Sequence, residues 1–236
     1  MIYTGFRGVY MDVCLVVKDA LNEVWQEKLA KLGGNDLVVF GFNGMGLVSY
    51  KKELSGETEY FQDVAKLSKQ LSTVIICGCD TDTYGVFRHS AVIADKGKIL
   101  GVSDSVYSID ESEFVSGGSF RVYQTSAGRI GIILTEDLYF FKSAEVLSMC
   151  DAEFIVCIFK KIDNYMPQVM LRANAFSSGV AMALVAKDYA CISDIRGKIK
   201  AASSADLLKV KVKIEKDYHL ISSRKKGFLK EFTPGY

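Results

Sequence analysis

Short apolar strands alternate with amphipathic helices along this chain, which limits it to folds in which helices cover a β-sheet. An apolar run at residues 8–17 has strand length, and apolar residues then recur at helical spacing over 21–32. Residues 36–40 form a buried strand, 60–71 a second helix, and 73–79 another buried strand. The first third of the chain therefore predicts a β-α-β-α-β unit, whose strands have both faces covered.

The second half of the chain repeats this alternation after a hairpin. Two strands, at 86–94 and 99–102, flank the turn Asp95-Lys-Gly-Lys98, whose glycine can adopt a positive φ. No linker separates the halves, so we expect one α/β domain of the α+β type over 1–236, ending in a basic, turn-rich tail at 219–236. The further elements predicted are strands at 129–134, 153–158, 180–186, 190–192 and 208–214, and helices at about 138–149 and 167–178.

Charge and hydropathy exclude several classes of function. Lys and Arg number 29 against 28 Asp and Glu, so the chain has no net field to attract nucleic acid or anionic lipid. No apolar run reaches the ~18 residues that a membrane-spanning helix needs. The first residues lack a basic segment followed by an apolar one, as a secretory signal would have. We therefore expect a cytoplasmic protein that binds neither nucleic acid nor membranes.

The cysteines and histidines do not form a pattern typical of a metal site. Cys77-Gly-Cys79 lacks the two-residue spacer of a zinc or redox pair, and His89 and His219 are the only imidazoles. The sequence predicts no metal and no cofactor. Most cysteines lie in apolar runs, which predicts reduced, buried side chains: Cys14, Cys77, Cys79, Cys150, Cys157 and Cys191.

Four motifs, in this order and spacing, resemble those of the nitrilase superfamily of carbon–nitrogen hydrolases. Residues 36–42 (DLVVFGF) resemble the family strand that ends in Pro-Glu, and 88–101 resemble its Tyr-Asn-Ser-Ala hairpin. Residues 128–138 (GRIGIILTEDL) resemble the strand that carries the nucleophile, and 171–175 (LRANA) its Arg-Ala-Arg-Ala helix. Residues 194–199 complete the family's C-terminal pattern. The resemblance implies a four-layer α-β-β-α sandwich.

The resemblance also implies where a catalytic triad would stand. The family uses a Glu base, a Lys and a Cys nucleophile, since a thiolate needs a base and a developing oxyanion needs a positive partner. Here the Glu position matches Phe42, the Cys position matches Thr135, and the Lys position falls at or near Ser105. All three residues are replaced, so we expect the fold without the usual hydrolysis.

Thr135 and the two acidic residues after it have alternative interpretations. Thr135 is a nucleophile only if a neighbouring base activates its hydroxyl; otherwise it caps the helix that follows. Glu136 and Asp137 lie at a predicted helix N-terminus, where the helix dipole alone favours carboxylates. Asp137 also matches a structural Asp of the family.

Other polar residues are candidates for a pocket. Glu111 and Glu113 resemble a family loop that brings a further Glu into the pocket, although such loop residues are usually solvated. Cys157 ends a strand that borders the pocket in the family, but without a nearby cation its thiol should be inert. His89 stands at the family's Asn, where a polar residue is more often structural than catalytic.

Two functional hypotheses follow, with a third, purely structural subunit as a more distant class. The first is a non-catalytic module that binds a small molecule or acts through homo- or hetero-association. The second is an amide hydrolase rebuilt around Thr135, Cys157 and the loop carboxylates. By resemblance we also predict a homodimer in which the helices near 138–149 and 167–178 meet across a two-fold axis, with Phe140 and Phe141 as contacts.

Overall fold

The computed structural model describes residues 9–23, 29–107 and 113–216. The predicted tail at 219–236 and the loop residue Glu111 lie outside these ranges. The strands are β1 Val9–Val16, β2 Leu37–Phe40, β3 Leu47–Ser49, β4 Val74–Thr83, β5 Val86–Asp95, β6 Lys98–Asp104, β7 Val122–Thr125, β8 Gly128–Leu134, β9 Phe154–Lys161, β10 Ala181–Lys187, β11 Tyr189–Ser193, β12 Ile199–Ser203 and β13 Leu207–Ile214.

These strands form two mixed sheets. The first sheet has the order β13-β1-β2-β4-β5-β6, and β3 pairs with the far end of β4. The second has the order β12-β11-β10-β9-β8-β7. In each sheet the central strands are parallel, β1-β2-β4 in one and β8-β9-β10 in the other, while the outer strands are antiparallel. The carboxyl ends of the parallel strands therefore lie together at one edge of each sheet.

Helices cover the outer face of each sheet. α4 packs on β4, β5 and β6, and α6 packs on β10 and β11 beside α5. No helix within the described ranges is both long and apolar enough to cross a membrane. The helices are α1 Leu21–Glu23, α2 Leu29–Leu32, α3 Tyr50–Ser55, α4 Tyr60–Leu71, α5 Phe141–Met149 and α6 Met166–Ser178.

The core consists of three apolar layers, which the alternation of the strands produces. In β4, Val74 and Ile76 face the second sheet, whereas Ile75 and Cys77 face the helices. In β8, Ile132 packs between the sheets and Ile133 packs against α5 and α6. One apolar layer thus joins the sheets and one joins each sheet to its helices, so the predicted α-β-β-α sandwich is confirmed.

Three details differ from the sequence-based expectation. The helix predicted over 138–149 begins only at Phe141, because Thr135–Tyr139 form a 3-10 turn and Phe140 is extended. Five cysteines are buried as predicted, but Cys150 is exposed because it follows the last residue of α5. The short elements β3, α3, β7 and β12 were not predicted, since each is too short to establish a period and none is a continuous apolar run like β2.

Candidate functional site

The three residues at the expected triad positions each follow a strand at its carboxyl end. Phe42 begins a 3-10 turn after β2, Ser105 follows β6, and Thr135 begins a 3-10 turn after β8. All three are buried. In α/β folds, ligands bind beyond the carboxyl ends of parallel strands, so this edge is the candidate functional site.

Ser105 and Thr135 meet although they are thirty residues apart. The Thr135 hydroxyl donates toward the Ser105 oxygen at 3.5 Å, the outer limit of a hydrogen bond. Thr135 has φ +48°, a left-handed conformation that a β-branched residue rarely adopts. The residue before it, Leu134, occupies the cap position, and Thr135 makes no capping bond. The capping role that the sequence suggested for Thr135 is therefore wrong.

Asp137 is the acceptor on which this corner of the structure depends. Its carboxylate accepts a hydrogen bond from the Ser105 hydroxyl at 3.2 Å and from the backbone N–H groups of Val106 and Tyr107 at 2.8 and 2.6 Å. Its own carbonyl accepts the Ser143 hydroxyl at 2.7 Å. Asp137 lies in the first turn of the 3-10 helix, as the helix-dipole interpretation expects, and its buried side chain also joins the segment after β6 to the turn after β8.

The electrostatics of Asp137 reflect two opposing effects. Burial raises its pKa to about 6, while the three hydrogen bonds from Val106, Tyr107 and Ser105 act in the opposite direction. The neighbouring carboxylate of Glu136 raises the pKa further. Near neutral pH the group is thus a buried carboxylate that is already committed to three donors.

Phe42 places an aromatic ring at the corresponding end of the first sheet. Its side chain is 7% exposed and belongs to the apolar layer between the sheets. Gly78 on β4 lies against it: a Cβ there would come within 3.0 Å of the Phe42 nitrogen and of Ile158 Cγ2. Ile158 pairs with Leu134, the residue before Thr135. Backbone packing through Gly78 therefore brings Phe42 and the Thr135 strand to the same region.

A second polar group lies beside the Phe42 ring, and it was not predicted as a site. The Asp80 carboxylate binds His89 Nδ1 at 2.7 Å through one oxygen and Lys160 Nζ at 2.9 Å through the other. Asp80 and His89 belong to the first sheet and Lys160 to the second, so the ion pair links the two sheets. We call these three residues the Asp80–His89–Lys160 cluster.

Aromatic rings surround the cluster. The His89 ring stacks on Phe114 with centroids 3.8 Å apart and meets the edge of Phe42 at 5.7 Å. The Lys160 ammonium lies over the rings of Phe114 and Phe42, at 4.6 and 5.7 Å from their centroids. A cation therefore does stand next to Phe42, but it comes from β9 and not from the segment that resembles the family's Lys region.

The remaining candidates make no hydrogen bond, among the described residues, to Ser105, Thr135, Asp137 or the Asp80–His89–Lys160 cluster. Glu113 is exposed, as expected of a solvated loop residue, and Glu136 is half-buried. Cys157 lies within β9, not at its end, and packs in the layer between the second sheet and its helices. Burial raises the pKa of its thiol well above the ordinary range, and the negative charge of Asp137 adds to this. Its expected place beside the pocket is thus corrected.

One sequence signal could have identified part of the cluster. Tyr84 and Gly85 both have positive φ and form the two-residue turn of the β4–β5 hairpin. A two-residue turn at 84–85 determines the register, which pairs Asp80 with His89. Tyr84-Gly85 lies between the strands predicted at 73–79 and 86–94, so this pairing was within reach. Nothing in the sequence indicates that Lys160 would approach from the other sheet.

Comparison with solved structures relates the whole chain to one group of enzymes. An amidase from Nesterenkonia sp. superposes with a TM-score of 0.76 at 14% identity, covering 98% of this chain and 99% of that one. A carbon–nitrogen hydrolase from Helicobacter pylori G27 gives 0.73 at 16% identity, with 95% of each chain covered. Saccharomyces cerevisiae Nit3, a member of branch 10 of the nitrilase superfamily, gives 0.71 at 15%, covering 92% and 94%.

No family model matches the sequence, and no curated protein matches it either. Identities of 14–16% establish a common architecture and leave chemistry to be argued from the site itself. The order of strands and helices, the two stacked sheets and the nearly complete mutual coverage agree with one another. This chain therefore has the fold of the nitrilase-superfamily carbon–nitrogen hydrolases.

Proposed function

We propose that this protein is a nitrilase-fold module that does not carry out the amide and nitrile hydrolysis typical of the superfamily and that acts by binding a small molecule or by oligomerising. One observation carries the proposal. At the positions that the resemblance assigns to the Lys and the Cys, the Ser105 and Thr135 hydroxyls meet each other, and Ser105 donates to Asp137. The network contains neither a thiolate nor a cation.

The geometry around Thr135 gives no activated nucleophile. A general base must lie within about 3 Å of the hydroxyl that it deprotonates. The neighbour of the Thr135 hydroxyl is the Ser105 hydroxyl at 3.5 Å, which is not a base. The position assigned to the Glu base holds the apolar ring of Phe42, and the Cys157 thiol packs on the far face of its sheet. In one mutant of the Nesterenkonia amidase, by contrast, the acetamide moiety of fluoroacetamide adds covalently to the active-site cysteine.

An amide hydrolase with a rebuilt site is the second candidate, and one observation favours it. Thr135 adopts a left-handed conformation directly after a strand, and Ser105 connects it to a buried carboxyl whose pKa is raised to about 6. A strained residue after a strand is a feature of several nucleophiles. In this alternative, Ser105 would relay the Thr135 proton to Asp137.

Hydrolysis assays distinguish the two candidates. Ammonia release from simple amides, nitriles and N-carbamoyl compounds is measured for the purified protein and for Thr135→Ala, with Cys157→Ser as a second variant. We expect the three proteins to release ammonia at the same background rate, and mass spectrometry to detect no acylated protein. Turnover that Thr135→Ala abolishes would establish the rebuilt hydrolase, because loss of a true nucleophile removes several orders of magnitude in rate.

We also propose that the protein is a homodimer formed through α5 and α6. These helices lie side by side and expose large apolar residues, among them Phe141, Val169 and Phe176, which is 60% exposed. Phe140, which stacks on Tyr107 at 4.2 Å, remains partly exposed at the same place. Adjacent exposed apolar side chains are typical of a protein–protein interface.

The oligomeric state is measured by light scattering at micromolar concentration. Phe176→Glu should shift the protein to the monomer, because a buried, unpaired charge opposes association. Leu54→Glu is the matched control, since Leu54 is also highly exposed but lies on α3, away from these helices. A wild-type monomer, or equal effects of the two variants, would contradict the proposed interface.

We further propose that the chain is a single domain that works in the cytoplasm. All six cysteines are free, and an exposed thiol such as that of Cys150 persists in a reducing compartment. The apolar layer between the sheets combines residues of both halves of the chain, for example Val39 and Val156, which favours one cooperative unit. A single denaturation transition by fluorescence and by circular dichroism would agree with this, and two separate transitions would not.

A further inference from the structure

We propose that the Asp80–His89–Lys160 cluster binds the head group of a small monocarboxylate whose apolar body contacts the aromatic rings beside the cluster. This inference rests on the proposed function, because it names the ligand class of a binding module. The cluster does not include Phe42, Ser105 or Thr135, the positions that the resemblance assigns to a catalytic triad. The inference is tested by measuring binding and not turnover.

The cluster offers hydrogen-bonding groups that the fold does not use. The Asp80 carboxylate contacts His89 Nδ1 at 2.7 Å and Lys160 Nζ at 2.9 Å. Within the part of the chain that the structure describes, neither His89 Nε2 nor the other N–H groups of Lys160 have a hydrogen-bond partner. An imidazole held by a carboxylate at Nδ1 presents Nε2 to a ligand, and an ammonium group has several donors.

The donors are held in place before a ligand arrives. Phe114 stacks on one face of the His89 ring at 3.8 Å, and Phe42 meets the ring at 5.7 Å. Lys160 lies over both phenyl rings and is drawn toward Asp80. The side chains of His89 and Lys160 remain 18% and 43% exposed, so solvent reaches them. Because these groups are already ordered, binding requires little loss of side-chain freedom.

Charge counting favours a monoanion. Lys160 neutralises Asp80 across 2.9 Å, so this pair carries no net charge before a ligand binds. A carboxylate then adds one negative charge to the cluster, whereas a phosphate dianion adds two. Other charged groups lie near the cluster without binding it: Asp104 on β6 accepts the Ser90 hydroxyl at 2.7 Å, and Glu113, next to Phe114, is exposed.

The position of the cluster also indicates a binding site. Asp80 lies in the last part of β4, past the register in which β4 pairs with β2, and Lys160 lies in the last part of β9, past the register in which β9 pairs with β8. This edge is where α/β folds bind ligands. The Asp80–Lys160 ion pair alone is enough to link the two sheets. Apolar residues at such a buried position often stabilise a fold equally well. The added imidazole, whose Nδ1 is held by Asp80, is explained by recognition of a ligand at Nε2.

Benzoate is the probe, and benzamide is its neutral counterpart of the same shape. Binding to the full-length protein is followed by calorimetry and by NMR of the imidazole signals. The chain has only two histidines, so His89→Gln assigns the signals of His89 directly. We expect benzoate to shift the His89 signals and to bind at least about tenfold more tightly than benzamide, as loss of a charge-assisted hydrogen bond predicts.

Lys160→Met should weaken benzoate binding about tenfold or more, and so should His89→Gln, which retains the Asp80–Lys160 pair. The matched control is Lys161→Met: this neighbouring lysine is 70% exposed and pairs with Asp163, so its loss should leave affinity unchanged. Circular dichroism verifies that each variant is folded. If Lys160→Met does not fold, His89→Gln decides.

Several outcomes would overturn the inference: no benzoate binding, equal affinity for benzamide, tighter binding of inorganic phosphate, or equal losses in Lys160→Met and Lys161→Met. Ammonia release from benzamide is recorded in the same samples. Hydrolysis with Lys160-dependent benzoate binding would refute the non-hydrolytic function and leave the ligand class standing. If neither hydrolysis of benzamide nor binding of benzoate is detected, the ligand class is refuted and the non-hydrolytic function is left standing.

Discussion

Asp137→Asn removes an acceptor oxygen from the carboxylate that holds the segment after β6. In the wild type, one oxygen accepts from Val106 N at 2.8 Å and the other from Tyr107 N at 2.6 Å and Ser105 Oγ at 3.2 Å. The amide of Asn has one acceptor oxygen, so it can accept hydrogen bonds only from the donors that face one of the two carboxylate oxygens. Its NH₂ group must then face a backbone N–H, since the surrounding segment offers donors on both sides.

The cost follows from the groups that lose their partners. A buried N–H left unpaired and a charge-assisted hydrogen bond lost together reduce the free energy of unfolding by about 3 kcal/mol near neutral pH. Glu136→Gln is the matched control. Glu136 is only half-buried and has no hydrogen bond among the described residues, so its substitution should change the free energy of unfolding by less than about 0.5 kcal/mol.

The pH dependence of this cost has a defined sign. Burial raises the pKa of Asp137 from its ordinary value of 3.8 to about 6. The folded carboxyl thus holds its proton more tightly than the unfolded one, which stabilises the fold below about pH 4 and is lost as the pH rises through about 6. Asp137→Asn lacks this contribution, so its deficit relative to the wild type should grow by up to about 3 kcal/mol between about pH 7 and about pH 4.

Urea denaturation of the wild type, Asp137→Asn and Glu136→Gln across this pH range measures the differences, with equal slopes as a condition for comparing midpoints. Titration of the carboxylates that do not interact with Asp137 cancels in the differences. A deficit that shrinks toward acid pH would refute the reasoning. It would mean that the hydrogen bonds from Val106, Tyr107 and Ser105 outweigh burial and hold the group as a carboxylate.

Three further predictions concern packing, backbone strain and thiol reactivity. Gly44→Ala should lower the free energy of unfolding by about 2 kcal/mol, because a Cβ there overlaps the Cys77 Sγ, whereas Gly41→Ala meets nothing within 4 Å and should be neutral in urea denaturation. Thr135→Gly should be more stable than Thr135→Ala by about 1 kcal/mol in the same assay, since both lose the hydroxyl but only glycine accepts φ +48° without strain. A thiol reagent should modify Cys150 alone in the native protein, and mass spectrometry detecting rapid labelling of a second cysteine would contradict the burial of the others.

The layered architecture could be predicted because burial follows a local period. Each residue of β4 or β8 faces the side opposite to its neighbour, so runs such as 73–79 and 129–134 already indicate strands covered on both faces. Amphipathic spacing located α4 to the residue. The choice of Phe42, Ser105 and Thr135 came from the resemblance to the nitrilase superfamily and not from the pattern of apolar residues. Short elements such as β7 were missed because four residues do not establish a period and its sequence, VYQT, is not a continuous apolar run like that of β2.

By itself, the sequence determined the strands, the helices and their layering, because these depend on the alternation of apolar residues along each segment. Only the tertiary structure decided which polar groups meet. Ser105 reaches Thr135, and Lys160 reaches Asp80 across two sheets, through packing between strands that are distant in the chain. The same packing buries Asp137 and turns Cys157 toward the helices. Such contacts depend on how far and in which direction side chains extend from separate elements, and no local pattern encodes that.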